Sequence, residues 1–247
     1  MKKIISTLLL AMILMSIGVY SFASTEPNVS DYIRLNSGTK EDILINEQNK
    51  KKAELEAATT LLPMATSTRT LNVPTYQQET SYWCGPANIK QVIQYINGSS
   101  QSQSTYASDM GTNSSDGTYV YRMTNELNAK QSTFTYAHYQ MSSSDKQSLA
   151  LGISISIGQG KPCIFHARTE HLYMYNGKAL GHYITGRGYS FSGFETASID
   201  ADTNALDGTV YYTDPYSSNQ GRGNTLGNHS DSLTNIANSL NGRYLIR

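Results

Sequence analysis

Cys84 lies in the stretch Gln78-Glu79-Thr80-Ser81-Tyr82-Trp83-Cys84-Gly85-Pro86-Ala87. A thiol can act as a nucleophile where its surroundings favour the anion and a base is within reach. Ile89, Val92, Ile93 and Ile96 follow at helical spacing, so the spacing predicts a helix that starts at the cysteine. The sulfur would then face open backbone N–H groups and the positive end of the helix dipole, surroundings that suit an anion. Gln78 offers a side-chain amide N–H, and Cys84 its own backbone N–H, as donors to the oxygen of a tetrahedral intermediate.

A cysteine nucleophile also needs a base and a group that orients the base. Of the five histidines, His182 has the most telling surroundings. Leu180-Gly181-His182-Tyr183-Ile184 sets it at the start of a strand, beside a glycine that permits close approach. His138, His166, His171 and His229 lack that context, and no HExxH-like or CxxC spacing points to zinc. Asp214 ends the run Val210-Tyr211-Tyr212-Thr213, just before Pro215. If the two strands pair, its carboxylate can accept the imidazole N–H and fix the tautomer. The alternative for Asp214 is that it merely caps the turn before Pro215.

Four motifs in order resemble the papain-like cysteine peptidases. They are Gln-x5-Cys-Gly-Pro-Ala, Gly-Lys-Pro before a strand, Gly-His-Tyr-Ile-Thr-Gly-x-Gly-Tyr, and Tyr-Tyr-Thr-Asp-Pro, over about residues 72–216. The branch they are most similar to is the double-glycine (bacteriocin-processing) peptidase-like group. The resemblance implies Cys84 as nucleophile, His182 as general base and acid, Asp214 as the orienting acid, and Gln78 in the oxyanion hole. It implies no metal or organic cofactor. Bacteriocin-processing relatives are usually fused to a transporter, and this sequence has neither a transmembrane bundle nor a nucleotide-binding motif. The expected task is therefore not leader cleavage during export.

The elements that must position these residues follow from periodicity. Helices are expected from Gly85 to Tyr95, Ser104 to Met110, Tyr119 to Ala129, from a Ser142–Asp145 cap to Ile157, and from Ser230 to Leu240. Strands are expected at Thr133–Gln140, Pro162–Ala167, Tyr183–Tyr189, Thr209–Thr213 and Arg243–Ile246, with a long excursion over Ser190–Asp207. Helices come first and an antiparallel sheet second, which is α+β organisation. With the resemblance, the expected fold is papain-like: the nucleophile at a helix N-terminus, packed on a sheet that carries His and Asp.

Three segments are expected. Met1-Lys2-Lys3 and the apolar run from Ile4 read as a signal peptide cleaved after Ala23, which makes the protein secreted, with no stable membrane insertion afterwards. Residues 24–69 are a propeptide, cut near Arg69, or a linker. They hold one aromatic residue, Tyr32, and Lys40 to Leu62 reads as an exposed helix; Pro63 and Thr66–Arg69 read as a flexible connection. Residues 70–247 suffice for one globular domain. The chain carries 19 basic and 19 acidic residues, so no net charge steers it to nucleic acid. Of the two cysteines, Cys163 falls in an apolar strand run where it packs as a small hydrophobe, and no bridge to Cys84 is expected.

The functional expectation is a secreted cysteine peptidase that hydrolyses protein or peptide substrates through a thioester. Two rivals stand beside it: an amidase, peptidoglycan hydrolase or transpeptidase using the same site, and a catalytically silent binding module.

Overall fold

The computed structural model describes residues 36–59, 68–192 and 207–247. The expected signal peptide, the Pro63 connection and most of the Ser190–Asp207 excursion lie outside the described residues. In chain order the elements are α1 (Lys40–Thr59), β1 (Thr68–Thr70), α2 (Cys84–Asn97), α3 (Gln103–Asp109), α4 (Val120–Lys130), β2 (His138–Gln140), α5 (Lys146–Gly158), β3 (Cys163–Arg168), two 3₁₀ turns at Thr169–His171 and Tyr173–Tyr175, β4 (Gly181–Ser192), β5 (Asp207–Asp214), β6 (Gly227–Ser232), α6 (Leu233–Ser239) and β7 (Tyr244–Ile246). This is an α+β fold: helices dominate the first half, and antiparallel pairs build the sheet β2-β7-β3-β4-β5-β6. Among the described residues, no helix is long and apolar enough to cross a membrane.

Successive side chains of a strand point to opposite faces, and here both faces are covered. Phe165 and Ile184 enter a core with Leu149, Ile153 and Ile157 of α5 and Ile236 of α6. Ile164 and Tyr183, one residue away, enter a second core with Ile89, Val92, Met123 and Leu127 of α2 and α4. The central strands are therefore buried along runs of successive residues instead of at alternate ones.

The long strand β4 serves two partners in turn. Gly181–Gly186 pairs with β3, and Gly188–Ser190 pairs with β1. A register shift against β5 falls between Gly186 and Gly188. Glycine is required at both positions. A Cβ on Gly186 would lie 2.6 Å from Cys163 Sγ, and one on Gly188 would lie 2.7 Å from the Arg69 carbonyl oxygen.

Some elements differ from expectation. Thr68 and Arg69 are not a loose connection but two of the three residues of β1, because β4 outlasts β3 and leaves an edge for them. Of the expected Thr133–Gln140 strand, His138–Gln140 forms β2 against the three-residue β7, and Ala137 extends the pairing by exchanging backbone hydrogen bonds with Arg247 at 2.8 and 2.9 Å. Ser230–Ser232 belongs to β6, and α6 begins only after the Ser232 hydroxyl accepts from the Asn235 N–H. The α1 helix is not fully exposed: Asn46 and Ala53 are buried. The Asn46 carboxamide donates to His138 O and accepts from His138 N, both at 3.0 Å, completing the outer edge of β2 as a further strand would.

Candidate active site

Cys84 heads α2 and is half-buried, and no side chain caps that helix start. Gly85 is there for proximity: a Cβ would meet Thr118 Oγ1 at 2.4 Å. At the far end Gly98, with φ of 72°, closes the helix in the left-handed conformation expected of the Asn97-Gly98 pair. Both cysteines are free thiols. Cys163 is fully buried, and burial pushes its thiol up to about 12, so it is inert packing at neutral pH.

His182 and Asp214 are brought together. The β4–β5 register pairs Thr185 with Thr213, which sets Asp214 opposite Ile184 and diagonal to His182 on one face of the sheet. His182 Nε2 lies 2.8 Å from Asp214 Oδ1, with both residues buried. Burial alone would lower the imidazole pKa. The Asp214 carboxylate beside it, helped by the Cys84 side chain, outweighs that effect and pushes it up to about 10. The balance favours the protonated ring.

The carboxylate is itself fixed. Asp214 Oδ1 also accepts from the Tyr216 N–H at 2.8 Å, and Oδ2 accepts from the Tyr175 hydroxyl at 2.8 Å. Burial, followed by the neighbouring Asp214 charge, raises the Tyr175 pKa far above its ordinary value, so the phenol stays a donor. The rings of Tyr175 and Tyr216 stand 6.0 and 5.9 Å from the imidazole.

Gln78 is buried on the segment leading to Cys84. Its backbone N–H donates to Pro215 O at 2.8 Å, linking it to the residue after Asp214, and its Nε2 donates to Thr80 O at 2.8 Å. Its Oε1 is buried without a hydrogen-bond partner.

The remaining histidines are held in other roles. Burial, Arg243 and His182 together lower His166 well below its ordinary value, and its ring stacks on Tyr183 at 4.3 Å. His138 is lowered to about 4, by burial and then by Lys50 of α1. His229 Nε2 lies 2.7 Å from Thr225 O. His171 lies 4.0 Å from Glu170 at the surface. Among the described residues there is no cluster of three or more His, Cys, Asp or Glu side chains able to hold a metal ion.

Sequence reasoning missed Asn88. Its Nδ2 donates to Cys84 O at 2.7 Å and to Tyr183 O at 2.8 Å, while its Oδ1 accepts from the Thr185 hydroxyl. A polar residue amid the apolar positions of α2, one turn after the cysteine, was the available signal. Tyr175 gave none, because its partner is remote in sequence.

The sequence matches the Peptidase_C39 like family over residues 70–238. No curated protein matches it at a significant level. Among solved structures, a double glycine motif protease from an AMS/PCAT transporter is 15% identical, with a TM-score of 0.44, over 72% of this chain and 91% of that one. The peptidase domain of Streptococcus ComA is 16% identical, with a TM-score of 0.43, over 71% and 97%. The bromelain protease of Ananas comosus is 13% identical, with a TM-score of 0.41, over 70% and 92%. The family match spans most of the chain, including every residue of the site above: the chain belongs to the Peptidase_C39 like family, and its activity class is that of a cysteine-type peptidase.

Proposed function

We propose that the chain is a secreted cysteine peptidase that cleaves peptide bonds with Cys84 as nucleophile, His182 as general base and acid, Asp214 as orienting acid and Gln78 as oxyanion donor. The observation that carries this reading is the buried His182–Asp214 pair at 2.8 Å, with an imidazole pushed up to about 10 by Asp214 and Cys84 against the pull of burial. Asp214 occupies Nε2, so Nδ1 is the nitrogen left for the Cys84 sulfur. The α2 start supports the same roles, since it has no side-chain cap to compete for its N–H groups.

In this reading the sulfur attacks the carbonyl carbon of a peptide, and the carbonyl oxygen takes negative charge between Gln78 and the Cys84 N–H. The imidazolium gives its proton to the leaving amine as the C–N bond breaks, leaving a thioester. Water then loses a proton to His182 and adds to the thioester carbon; the sulfur leaves, releasing the carboxylate product.

The N-terminal segment has a place in this proposal. The α1 helix is held at Thr135 by Glu56 and at His138 by Asn46, on the β2 edge of the sheet. These anchors support a segment that covers the sheet edge, and residues before it supply the export signal. N-terminal sequencing of protein from culture supernatant checks both points.

Purified wild type and Cys84→Ala are to be incubated with a peptide library and the products read by mass spectrometry. Cleavage by wild type alone is expected. Equal cleavage by both would overturn the assignment.

A further inference from the structure

Gln78 can serve an oxyanion only if its backbone holds still, and it lies on a segment with neither helix nor strand around it. The groups that fix this segment come from elsewhere. Gln103, the first residue of α3, is 1% exposed. Its Nε2 donates to Gln77 O at 2.7 Å, and its Oε1 accepts from the Glu79 N–H at 3.1 Å. One carboxamide thus grips the residues on both sides of Gln78. The Gln78 N–H is spent on Pro215 O, and Gln91, also buried, reaches Tyr76 O at 3.3 Å. The result is a backbone pinned at Tyr76, Gln77, Gln78 and Glu79, with the Gln78 amide resting one N–H on Thr80 O and keeping its second to donate.

We propose that Gln103 is the positioning residue of the oxyanion hole: by clamping Gln77 and Glu79 it sets the reach of the Gln78 amide to the oxygen that develops charge. The proposal rests on the reading of Gln78 as oxyanion donor. Gln103 touches no reacting atom, and its role is confined to steps that build an oxyanion. It has no part in the thiolate–imidazolium pair, whose members stand on α2 and β4.

Two probes separate these roles. Alkylation of Cys84 by iodoacetamide requires the thiolate but builds no oxyanion. A tripeptide aldehyde takes the sulfur at its carbonyl carbon and leaves a tetrahedral oxygen where the oxyanion donors act; its affinity is read from protection against iodoacetamide. Gln103→Met fills the space but can form neither bond, and Gln103→Glu, as a buried carboxylic acid, can both donate and accept.

Gln103→Met is expected to weaken aldehyde protection by about tenfold or more, while the alkylation rate stays within about twofold of wild type. Gln103→Glu is expected to recover most of the protection. In a Gln78→Ala background, Gln103→Met is expected to add little, because the group it positions is already gone. The proposal is overturned if Gln103→Met slows alkylation as much as it weakens protection, or if the two losses multiply in the double variant. Should Gln78→Ala keep full aldehyde protection, the oxyanion reading of Gln78 falls and this proposal with it, while the roles of Cys84 and His182 stand. Loss of wild-type alkylation at Cys84 would instead strike at the peptidase reading itself.

Discussion

Asn88 Nδ2 lies 2.8 Å from the carbonyl oxygen of Tyr183, so a side chain one turn into the helix that Cys84 begins is bonded to the strand residue next to His182. The same amide bonds the Cys84 carbonyl at 2.7 Å, and Thr185 closes the set from the strand. Helix and strand are therefore held by directed bonds where an apolar contact would let them slide.

Asn88→Ala removes all three bonds, taking the Asn88 donor from the Tyr183 carbonyl and the acceptor from the buried Thr185 hydroxyl, while the Cys84 carbonyl keeps its helix N–H. A stability loss of about 3 kcal/mol is expected, along with a fall in activity larger than the folded fraction explains. Urea unfolding set beside Cys84 alkylation measures both; unchanged activity per folded molecule would show that the tie is structural only.

Asp214→Ala should move the pH profile downward. In the wild type the imidazolium survives to about pH 10, because Asp214 outweighs burial. Without the carboxylate, burial dominates and the alkaline limb falls by several units. The same shift affects folding. A histidine whose pKa is raised in the fold adds stability that is complete below its ordinary value of 6.5 and is lost as pH rises through about 10. The kcat/KM profile is the check, and an unmoved alkaline limb would refute the role given to Asp214.

Tyr175→Phe leaves Asp214 Oδ2 without the hydroxyl donor that reaches it at 2.8 Å. The carboxylate keeps His182 and the Tyr216 N–H. A loss of about 1–3 kcal/mol in stability and a several-fold drop in kcat with KM little changed are expected. Steady-state kinetics with thermal unfolding give the comparison; a raised KM with kcat unchanged would point to a binding role instead.

His138 should make the protein acid-sensitive through its N-terminal helix. In the fold its pKa is lowered from 6.5 to about 4 by burial and Lys50, so the unfolded chain takes up the proton first. Stability is whole above about pH 6.5 and declines as pH falls towards 4, by about 3 kcal/mol from this residue. Urea midpoints at neutral and acid pH test it: His138→Gln should flatten the difference between them, and an identical slope in both proteins would exclude His138 as the cause.

The peptidase class and the elements that hold the candidate residues were legible in the sequence wherever the signal is local. A cysteine before Gly-Pro and an apolar period set the start of α2, Asn97-Gly98 set its end, and β-branched and aromatic runs set β3, β4 and β5. His182 and Asp214 stood out because each sits at a strand end beside a glycine or proline, a pattern confined to a few residues. The peptidase class followed from four such motifs in order.

Only the tertiary structure decided what depends on register and on partners remote in sequence. The pairing of Thr185 with Thr213 makes His182 and Asp214 neighbours, and register is a property of two strands together. Tyr175 on Asp214, Asn88 between Cys84 and Tyr183, and Gln103 around Gln78 are side chains whose partners lie elsewhere in the chain. β6 and β1 exist because an open strand edge was there to receive them. Local residue types fix which groups can react, but long-range hydrogen bonds fix where they stand.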